Sequence, residues 1–341
     1  MIMANLRSTS SVINVSTHVQ DPIAELEELF IEKTQMRRIR AGQCPVRRPV
    51  FLRLNGVAHG RFEVVEDLPD ELKVGLFAQA KTYPAWVRYS CDIPDGAPER
   101  GETVGLGIKL FGVEGEKCLE PDESSPTVDF LLQNHPVFFV NDAQDMALAF
   151  RDFAAWIEAH EDTKAILAAM RKDVKSVLES ELWSVIPFHF GLQKFCKYKI
   201  EPEVIALGPE PDFDAPGYLK ADLHQRLMTA EVRLRFMVQL QEDDDCMPLD
   251  TATHEWDEVT SAPVHVATLI LPIQDIDSRN QSVYGETLAF NPWRTLKEHQ
   301  PVGSLADARK VIYQASATVR RHYNGNVLGE PQVERPAQLK P

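Results

Sequence analysis

The amino-acid sequence predicts an α+β fold in which about eight antiparallel strands form a barrel with helices around it. Two observations lead to this prediction. Strand patterns fall into an early group and a late group with a long helical stretch between them, rather than alternating one by one with helices. The clearest strand, residues 231–241, alternates apolar and polar side chains, as a strand with one buried face does. Antiparallel strands of this length can close into a barrel with room for a cofactor.

The other elements follow from apolar periodicity and from Gly and Pro at the joins. A helix is predicted over 21–40, because an Asp-Pro pair opens it. The C-terminal helix is predicted to begin with Ser304 as N-cap and Asp307 in the capping-box position, and to end at the Asn-Gly pair 324–325. Further helices are predicted over 67–81 and 142–182, and further strands over 49–65, 85–90, 105–111, 128–132, 263–273 and 282–290.

Length and composition favour one large domain. The chain has 341 residues, of which 44% are hydrophobic and 26% charged, so it can bury a sizeable core. No internal repeat or linker divides it. We therefore expect an N-terminal arm over 1–19, a single domain over 20–325 and a C-terminal tail over 326–341. An arm without a core of its own can pack on a neighbouring copy, so a homo-oligomer is compatible with the sequence.

Charge and cysteine usage exclude several classes of partner. The net charge of −15 argues against binding to nucleic acid or to an anionic membrane surface. No stretch approaches the roughly 18 apolar residues of a membrane span, and the N-terminus lacks the apolar core of a signal peptide, so we expect a cytoplasmic location. The five cysteines are scattered and never form C-x-x-C, a pattern typical of reduced thiols rather than of disulfides or zinc.

The C-terminal helix carries a pattern that indicates chemistry. Arg309 and Tyr313 are one turn apart and share a face, and Arg320 follows two turns later. A tyrosine phenol has a pKa near 10, so it binds iron only where the phenolate is favoured. At about 4 Å and an effective dielectric near 20, a guanidinium stabilises the phenolate by about 4 kcal/mol. Ferric iron has to supply the remaining stabilisation of the phenolate. Such a pair also arises by chance as a surface contact, so it is informative only together with other motifs.

Four segments, in chain order, resemble motifs of the catalase superfamily. They are RPVF at 48–51 with GRFEV at 60–64, WVRYS at 86–90 with GLGIKLF at 105–111, NHPVFFVND at 134–142, and FNP at 290–292 followed by the arginine and tyrosine pattern of the C-terminal helix. The resemblance covers 47–140 and 290–323 well and is looser between them. It implies a catalase-like barrel with haem b, carrying ferric iron, between the barrel and the C-terminal helix.

The resemblance also implies a role for each matched residue. Tyr313 is implied to be the axial ligand of the iron, with Arg309 tuning it. The other matched residues are implied to contact the porphyrin or its ligand: Arg48, Arg88 and Arg320 at the propionates, Val50 and Phe139 at the ring, and Asn134 at a peroxide oxygen. Without the resemblance, Asn134 would be a turn residue before a buried strand. The arginines between 37 and 48 would likewise indicate a solvated turn.

The sequence departs from the catalase pattern where a distal histidine is implied. Phe51 or Leu52 stands there, depending on which neighbouring motif sets the register, and neither side chain can move a proton. Loss of positioned acid–base help costs about 10²–10⁴-fold, so efficient catalase activity is not expected. His59 and His135 are the alternative distal bases. A second departure is Ala317, where the resemblance implies a histidine.

With these departures, the sequence resembles the compact catalase-related group. That group includes small peroxidases and hydroperoxide enzymes of the allene oxide synthase type. We therefore predict a haem-dependent oxidoreductase that acts on organic or lipid hydroperoxides, as a peroxidase or as a hydroperoxide isomerase or lyase. Its substrate would be a small hydroperoxide or an apolar organic molecule. Three alternatives stay open: a non-catalytic haem-binding protein that senses or stores haem, a haem enzyme with non-peroxide chemistry, and a barrel that binds no haem.

Overall fold

The computed structural model describes residues 18–92, 99–120, 122, 124–204, 210–278 and 280–335. Its strands are β1 Arg53–Val64, β2 Thr82–Cys91, β3 Val104–Phe111, β4 Thr127–Gln133, β5 Leu182–Trp183, β6 Phe188–Phe190, β7 Lys194–Pro202, β8 Val232–Leu240 and β9 Val264–Leu271. They pair antiparallel in the order β5-β4-β3-β2-β1-β9-β8-β7-β6, and β5 also pairs with β7. Eight strands therefore close into a barrel while β6 extends from β7. The predicted α+β class and antiparallel barrel are confirmed.

Side chains fill the interior of the barrel. The rings of Phe62, Phe130 and Phe236 contact one another with centroids 4.7–6.1 Å apart, and Phe77 and Tyr198 join them. Because these aromatic side chains pack closely, the interior of the barrel is a filled core and not a pore. A bound group therefore has to lie against the outside of the barrel wall.

Helices cover that wall. They are α1 Pro22–Glu27, a π-helical continuation Glu28–Met36, α2 Arg37–Arg40, α3 Ala143–Arg151, α4 Phe153–Ala159, α5 Glu161–Met170, α6 Tyr218–Thr229, α7 Gln281–Thr287 and α8 Ser304–Tyr323. A second apolar cluster, which includes Leu26, Phe150 and Ile312, joins α1, α3 and α8. Among the described residues, no helix combines the length and the apolar character needed to cross a bilayer.

Three predicted elements are wrong. Residues 67–81 form two 3-10 turns, Asp70–Leu72 and Gly75–Phe77, instead of one helix. Residues 171–181 have no regular structure, although their apolar side chains occupy core positions. The hydroxyl of Ser176 accepts a hydrogen bond from the Leu178 N–H, which stabilises a local turn in place of a helix. The strand predicted over 282–290 is mostly the helix α7, which packs Gly285 so tightly on Val57 that a Cβ there would overlap it.

The helix α8 begins one residue away from its predicted cap. Its N-cap is Gly303, at φ 95°, and the carboxylate of Asp250 caps the helix from another loop by accepting a hydrogen bond from the Ser304 N–H at 2.9 Å. A Cβ at position 303 would lie 2.7 Å from that carboxylate oxygen, so only glycine fits. The predicted Ser304 cap is therefore wrong, because the capping group comes from a distant segment.

Side-chain hydrogen bonds hold the rest of α8 against its surroundings. Asn291 Nδ2 donates to the Lys310 carbonyl at 3.0 Å, and Trp293 Nε1 donates to the Ala306 carbonyl at 2.7 Å. The helix ends at Asn324, as predicted, and this side chain exchanges two hydrogen bonds with the backbone of Val46 at 2.8 and 2.9 Å. These contacts fix both the depth and the rotation of α8 against the barrel.

A buried ion network fastens the segment after α8 to the barrel. Lys109 Nζ lies 2.6 Å from Asp129 and 2.5 Å from Glu330, and Arg294 bridges the same two carboxylates. Arg321, near the end of α8, also pairs with Glu330 at 2.9 Å. Burial alone would raise the pKa of Glu330, but the surrounding cations outweigh it and hold the pKa at about 2.

The predicted division of the chain stays a prediction. Most of the arm, residues 1–17, and the end of the tail, residues 336–341, lie outside the described residues. The described part of the tail packs on the barrel, since Trp86 Nε1 donates to the Arg335 carbonyl at 3.3 Å. The cytoplasmic location and the homo-oligomer also stay predictions.

Replacing Glu330 with glutamine tests the buried network. The Glu330→Gln variant is expected to lose about 3–5 kcal/mol of unfolding free energy, because it leaves buried cations uncompensated. Urea denaturation of both proteins measures the difference. The Asp70→Asn control removes an exposed ion pair with Lys73 and is expected to change little. Equal losses in the two variants would contradict this account of the network.

Candidate functional site

A cavity of about 260 Å³ lies between the barrel and the helices. Residues near and along β2, β3 and β4 form one wall, including Arg88, Ser90, Asp92, Thr103, Gly105, Gly107, Leu131 and Gln133. The helix α8 forms the facing wall with Leu305, Ala308, Arg309, Ile312, Tyr313, Ser316, Ala317 and Arg320. The cavity is therefore a slot between the outside of the barrel and the helices, with α8 along one side.

The structure brings most of the predicted site residues to this one cavity. Eight of them line it: Arg48, Val50, Phe51, Arg88, Phe139, Arg309, Tyr313 and Arg320. These residues come from chain segments as far apart as 48 and 320, so their convergence depends on the fold and not on local sequence. Their individual roles stay predictions.

Three arginines meet at Glu286, at one side of the cavity. Arg48 Nη1 and Arg88 Nε lie 2.8 Å from the two carboxylate oxygens of Glu286. Arg320 donates to the backbone carbonyl of Glu286 and, at 2.9 Å, to that of Leu288, which also accepts from Arg48 at 2.6 Å. We call these four charged residues the guanidinium cluster.

The electrostatics of the guanidinium cluster suit a dianionic ligand. Burial would raise the pKa of Glu286, but Arg48, Arg88 and Arg320 hold it at about 2, so Glu286 is ionised. Burial lowers the pKa of Arg320 to about 10, which still leaves it charged at neutral pH. Three cations and one anion leave two positive charges, and the buried Nε of Arg320 has no hydrogen-bond partner within the described residues. Two carboxylates would neutralise this excess.

Tyr313 and Arg309 form a pair on the helix wall. The Arg309 guanidinium carbon lies over the Tyr313 ring, 5.4 Å from its centroid. Both side chains are half-buried and line the cavity. The guanidinium therefore makes a cation–π contact with the ring and places a positive charge on this wall of the cavity. Ala317, one turn further along the same wall, adds only a methyl group to the lining.

Asn134 is buried beside the cavity but is not among the residues that line it. Its backbone N–H donates to the Val104 carbonyl, and its Oδ1 accepts from the Val104 N–H, both at 3.0 Å. Its Nδ2 has no partner within the described residues. Through these two hydrogen bonds, Asn134 connects the end of β4 to the start of β3. Its implied role at a peroxide oxygen stays a prediction.

Phe51 lines the cavity and has an unusual backbone conformation. Its φ is +51°, a left-handed value that costs a non-glycine residue about 1–2 kcal/mol. The Phe51 N–H donates to Asp92 Oδ1 at 2.9 Å, and Arg88 donates to the Phe51 carbonyl at 3.1 Å. Its ring covers Gly105, where a Cβ would come within 2.6 Å of it. Leu52, the alternative at the distal position, is buried and does not line the cavity.

No histidine occurs among the described residues that line the cavity. His59 packs against Trp86 with ring centroids 5.7 Å apart, and its backbone pairs with the side chain of Gln274. His135 is half-buried near Asn134 but also lies off the lining. In this arrangement neither histidine can reach a ligand in the cavity without a change in the backbone.

Sequence reasoning missed two charged residues of the site. Glu286 carried no signal, because its partners are remote in the chain and the segment around it was predicted to be a strand. Asp92 did carry one: positions 88, 90 and 92 alternate along β2 and its end, so Arg88, Ser90 and Asp92 share a face. Val185 is a further lining residue at positive φ, 59°, which no local pattern indicates.

Solved structures of catalases share this fold. No protein-family model matches the chain. Catalase HPII of Pseudomonas aeruginosa is 36% identical over 131 residues, which are 38% of this chain and 16% of that protein. A fungal catalase structure has a TM-score of 0.66 at 16% identity, covering 84% of this chain and 62% of its own. A bacterial catalase structure has a TM-score of 0.64 at 16% identity, covering 99% of this chain and 69% of its own.

The chain therefore has the catalase-like fold, and the predicted resemblance to the catalase superfamily is confirmed. It spans only 16% of the curated catalase it matches and less than two thirds of the fungal catalase structure. Its place in the compact catalase-related group stays a prediction.

The guanidinium cluster predicts a dependence of stability on acid pH. Since Glu286 has an ordinary pKa of 4.5 and a folded pKa of about 2, its stabilising contribution is full above pH 4.5 and is lost as the pH falls towards 2. Glu286→Gln is expected to be less stable at neutral pH and to lose less stability across that window. Denaturant titrations at several pH values measure both slopes. The control Glu63→Gln, in a partly exposed ion pair, should keep the wild-type dependence of unfolding free energy on pH. A wild-type pH dependence in Glu286→Gln would contradict the account.

Proposed function

We propose that this protein is a haem-dependent oxidoreductase acting on organic or lipid hydroperoxides, as a peroxidase or as a hydroperoxide isomerase or lyase. One observation carries the proposal: a single apolar cavity holds Tyr313 with Arg309 on its helix wall and, among the described residues, no histidine on its strand wall. The first feature suits a ferric haem, and the second disfavours rapid disproportionation of hydrogen peroxide.

The described residues fit haem b with ferric iron. The two excess positive charges of the guanidinium cluster match two propionates, and the unpartnered Arg320 Nε is a donor still available to one of them. Gly105 and Gly107 leave room for the rings of Phe51 and Phe290, which also line the cavity, and Val50 and Phe139 add further apolar contacts. When bound, ferric haem supplies the redox-active iron that cleaves an O–O bond.

Tyr313 and Arg309 prepare the helix wall for that iron. Tyr313 Oη would be the protein ligand of the iron. The Arg309 guanidinium, which stays charged, lies over the Tyr313 ring and supplies a positive charge beside that ligand. The pair would thus provide the ligand atom and a neighbouring positive charge before any substrate enters.

The apolar walls determine the substrate class. The lining residues around Phe139 are mostly aromatic or aliphatic, and they include Phe30, Phe138, Met146, Phe150, Met170 and Ile186. Such walls exclude water and bury an alkyl chain, which an organic or lipid hydroperoxide carries and hydrogen peroxide lacks. Phe51, in place of a distal histidine, adds to this apolar surface.

The substrate preference is directly testable. Haem-loaded protein is expected to consume a fatty-acid hydroperoxide about 10²-fold or more faster than it releases oxygen from hydrogen peroxide, since no described lining histidine shuttles a proton between peroxide oxygens. An oxygen electrode and product analysis measure the two rates. Tyr313→Phe should lose the hydroperoxide activity. Rapid oxygen release from hydrogen peroxide would overturn the proposal, as would a purified protein that binds no haem.

The proposed propionate contacts predict a charge-dependent affinity for haem. Arg320→Met is expected to weaken binding of haem by about 10–100-fold, the effect of losing one or two charge-assisted hydrogen bonds. With haem dimethyl ester, which lacks the propionate charges, wild type and variant should bind nearly alike. Titrations followed by visible absorption give all four affinities. Arg61→Met, which removes a half-buried arginine that does not line the cavity, serves as the control. A difference in affinity between wild type and Arg320→Met that is undiminished with the ester would count against propionate binding.

A further inference from the structure

We propose that Asp92 is the proton-accepting group of the site: its carboxylate takes the proton from a hydroperoxide, or from another weakly acidic ligand, as that ligand enters the cavity. This inference deepens the proposed function and rests on it. It gives the strand wall a group that accepts one proton as the ligand enters, which is a narrower task than the proton transfer between two peroxide oxygens that rapid disproportionation of hydrogen peroxide needs.

The position of Asp92 in the fold is well defined. It directly follows β2 and continues the alternation of Arg88 and Ser90, so all three line the cavity. Its N–H donates to the Thr103 carbonyl at 3.1 Å, which extends the pairing between the ends of β2 and β3. Asp92 therefore belongs to the strand wall, whereas Tyr313 belongs to the facing helix wall.

The conformation of Phe51 is organised around this carboxylate. Its N–H donates to Asp92 Oδ1 at 2.9 Å, and the guanidinium of Arg88 binds its carbonyl at 3.1 Å. Its ring lies on Gly105, which has no side chain to displace it. A left-handed conformation at a phenylalanine persists only when its surroundings impose it, and such sites cluster where function requires a fixed geometry. The hydrogen bond from the Phe51 N–H thus holds one oxygen of Asp92 in a fixed position.

The chemistry of the lining selects Asp92 for proton transfer. Among the described residues that line the cavity it is the one with a carboxyl group, and none is a histidine. Ser90, Thr103 and Gln133 cannot accept a proton at neutral pH. With Oδ1 held by an amide, Oδ2 is the oxygen that can take a proton. The step is balanced: the bond between the ligand and its acidic proton breaks (O–H in a hydroperoxide, C–H in hydrogen cyanide), an O–H bond forms on Asp92, and the ligand is left as its anion.

A purely positioning role for Asp92 makes a different prediction. If Asp92 only holds Phe51 in place, asparagine at position 92 keeps the acceptor oxygen for the Phe51 N–H and should leave ligand binding unchanged. If Asp92 accepts the proton, asparagine keeps the geometry and loses the chemistry. The two roles can therefore be separated by one substitution.

The test uses hydrogen cyanide, which must lose its proton to bind ferric haem as cyanide and needs no turnover. Stopped-flow absorption of the haem-loaded full chain near neutral pH gives the association rate. Asp92→Asn is expected to lower that rate by about 10²-fold or more, while Asp92→Glu keeps a large part of it. The haem absorption band of the unliganded protein should be the same in all three proteins.

Glu102→Gln is the matched control, because Glu102 is a neighbouring carboxylate that does not line the cavity. Its cyanide association rate should equal that of the wild type. Equal rates in wild type and Asp92→Asn, with normal haem absorption, would overturn the role of Asp92 and leave the proposed function standing. A wild-type protein that takes up no haem would instead overturn the proposed function, and this inference with it.

Discussion

The attraction between Glu286 and the guanidinium groups of Arg48, Arg88 and Arg320 is the constraint on which the site depends. Burying several guanidinium groups side by side is unfavourable unless anions compensate them, so the loop at 48, strand β2 and helix α8 have to converge where Glu286 stands. That convergence sets the position of α8 relative to the sheet. The cavity is the space that remains between the two walls when the guanidinium cluster holds them in place.

Other contacts keep this slot from collapsing. The buried network around Glu330 ties the end of α8 to β3 and β4, while Asn291 and Trp293 fix its first half. On the strand side, Gly105 leaves room only for the ring of Phe51. The left-handed backbone of Phe51 is compatible with the fold because Asp92 and Arg88 satisfy both of its peptide groups. Rigidity on both walls is what a preorganised cofactor site needs.

Much of this architecture was predictable from local sequence. Residues 231–241 were identified as a strand because apolar and polar side chains alternate, and α8 because Ser304 and Asp307 indicated a helix start and the Asn-Gly pair a helix end. The convergence of Arg48, Arg88, Arg309 and Tyr313 followed from motifs rather than from energetics. Patterns of three or four residues carry such information when the fold is shared with known proteins.

The predictions that failed concern features that depend on contacts between distant segments of the chain. Residues 282–290 were predicted to be a strand, yet most of them belong to α7, in which Gly285 packs closely on the distant Val57. The Asp250 cap of α8 and the Glu286 anion have no local signature for the same reason. Asn134 shows the converse: a motif match placed it over the haem face, while its described hydrogen bonds are made with the backbone of Val104.

The account depends most on the Tyr313 oxygen being the iron ligand. Resonance Raman spectroscopy of the ferric, haem-loaded protein tests this directly, because an iron-bound tyrosinate has its own set of ring and iron–oxygen vibrations. We predict that these bands are present in the wild type and absent in Tyr313→Phe. A spectrum without them, or one that the substitution leaves unchanged, would contradict the central claim.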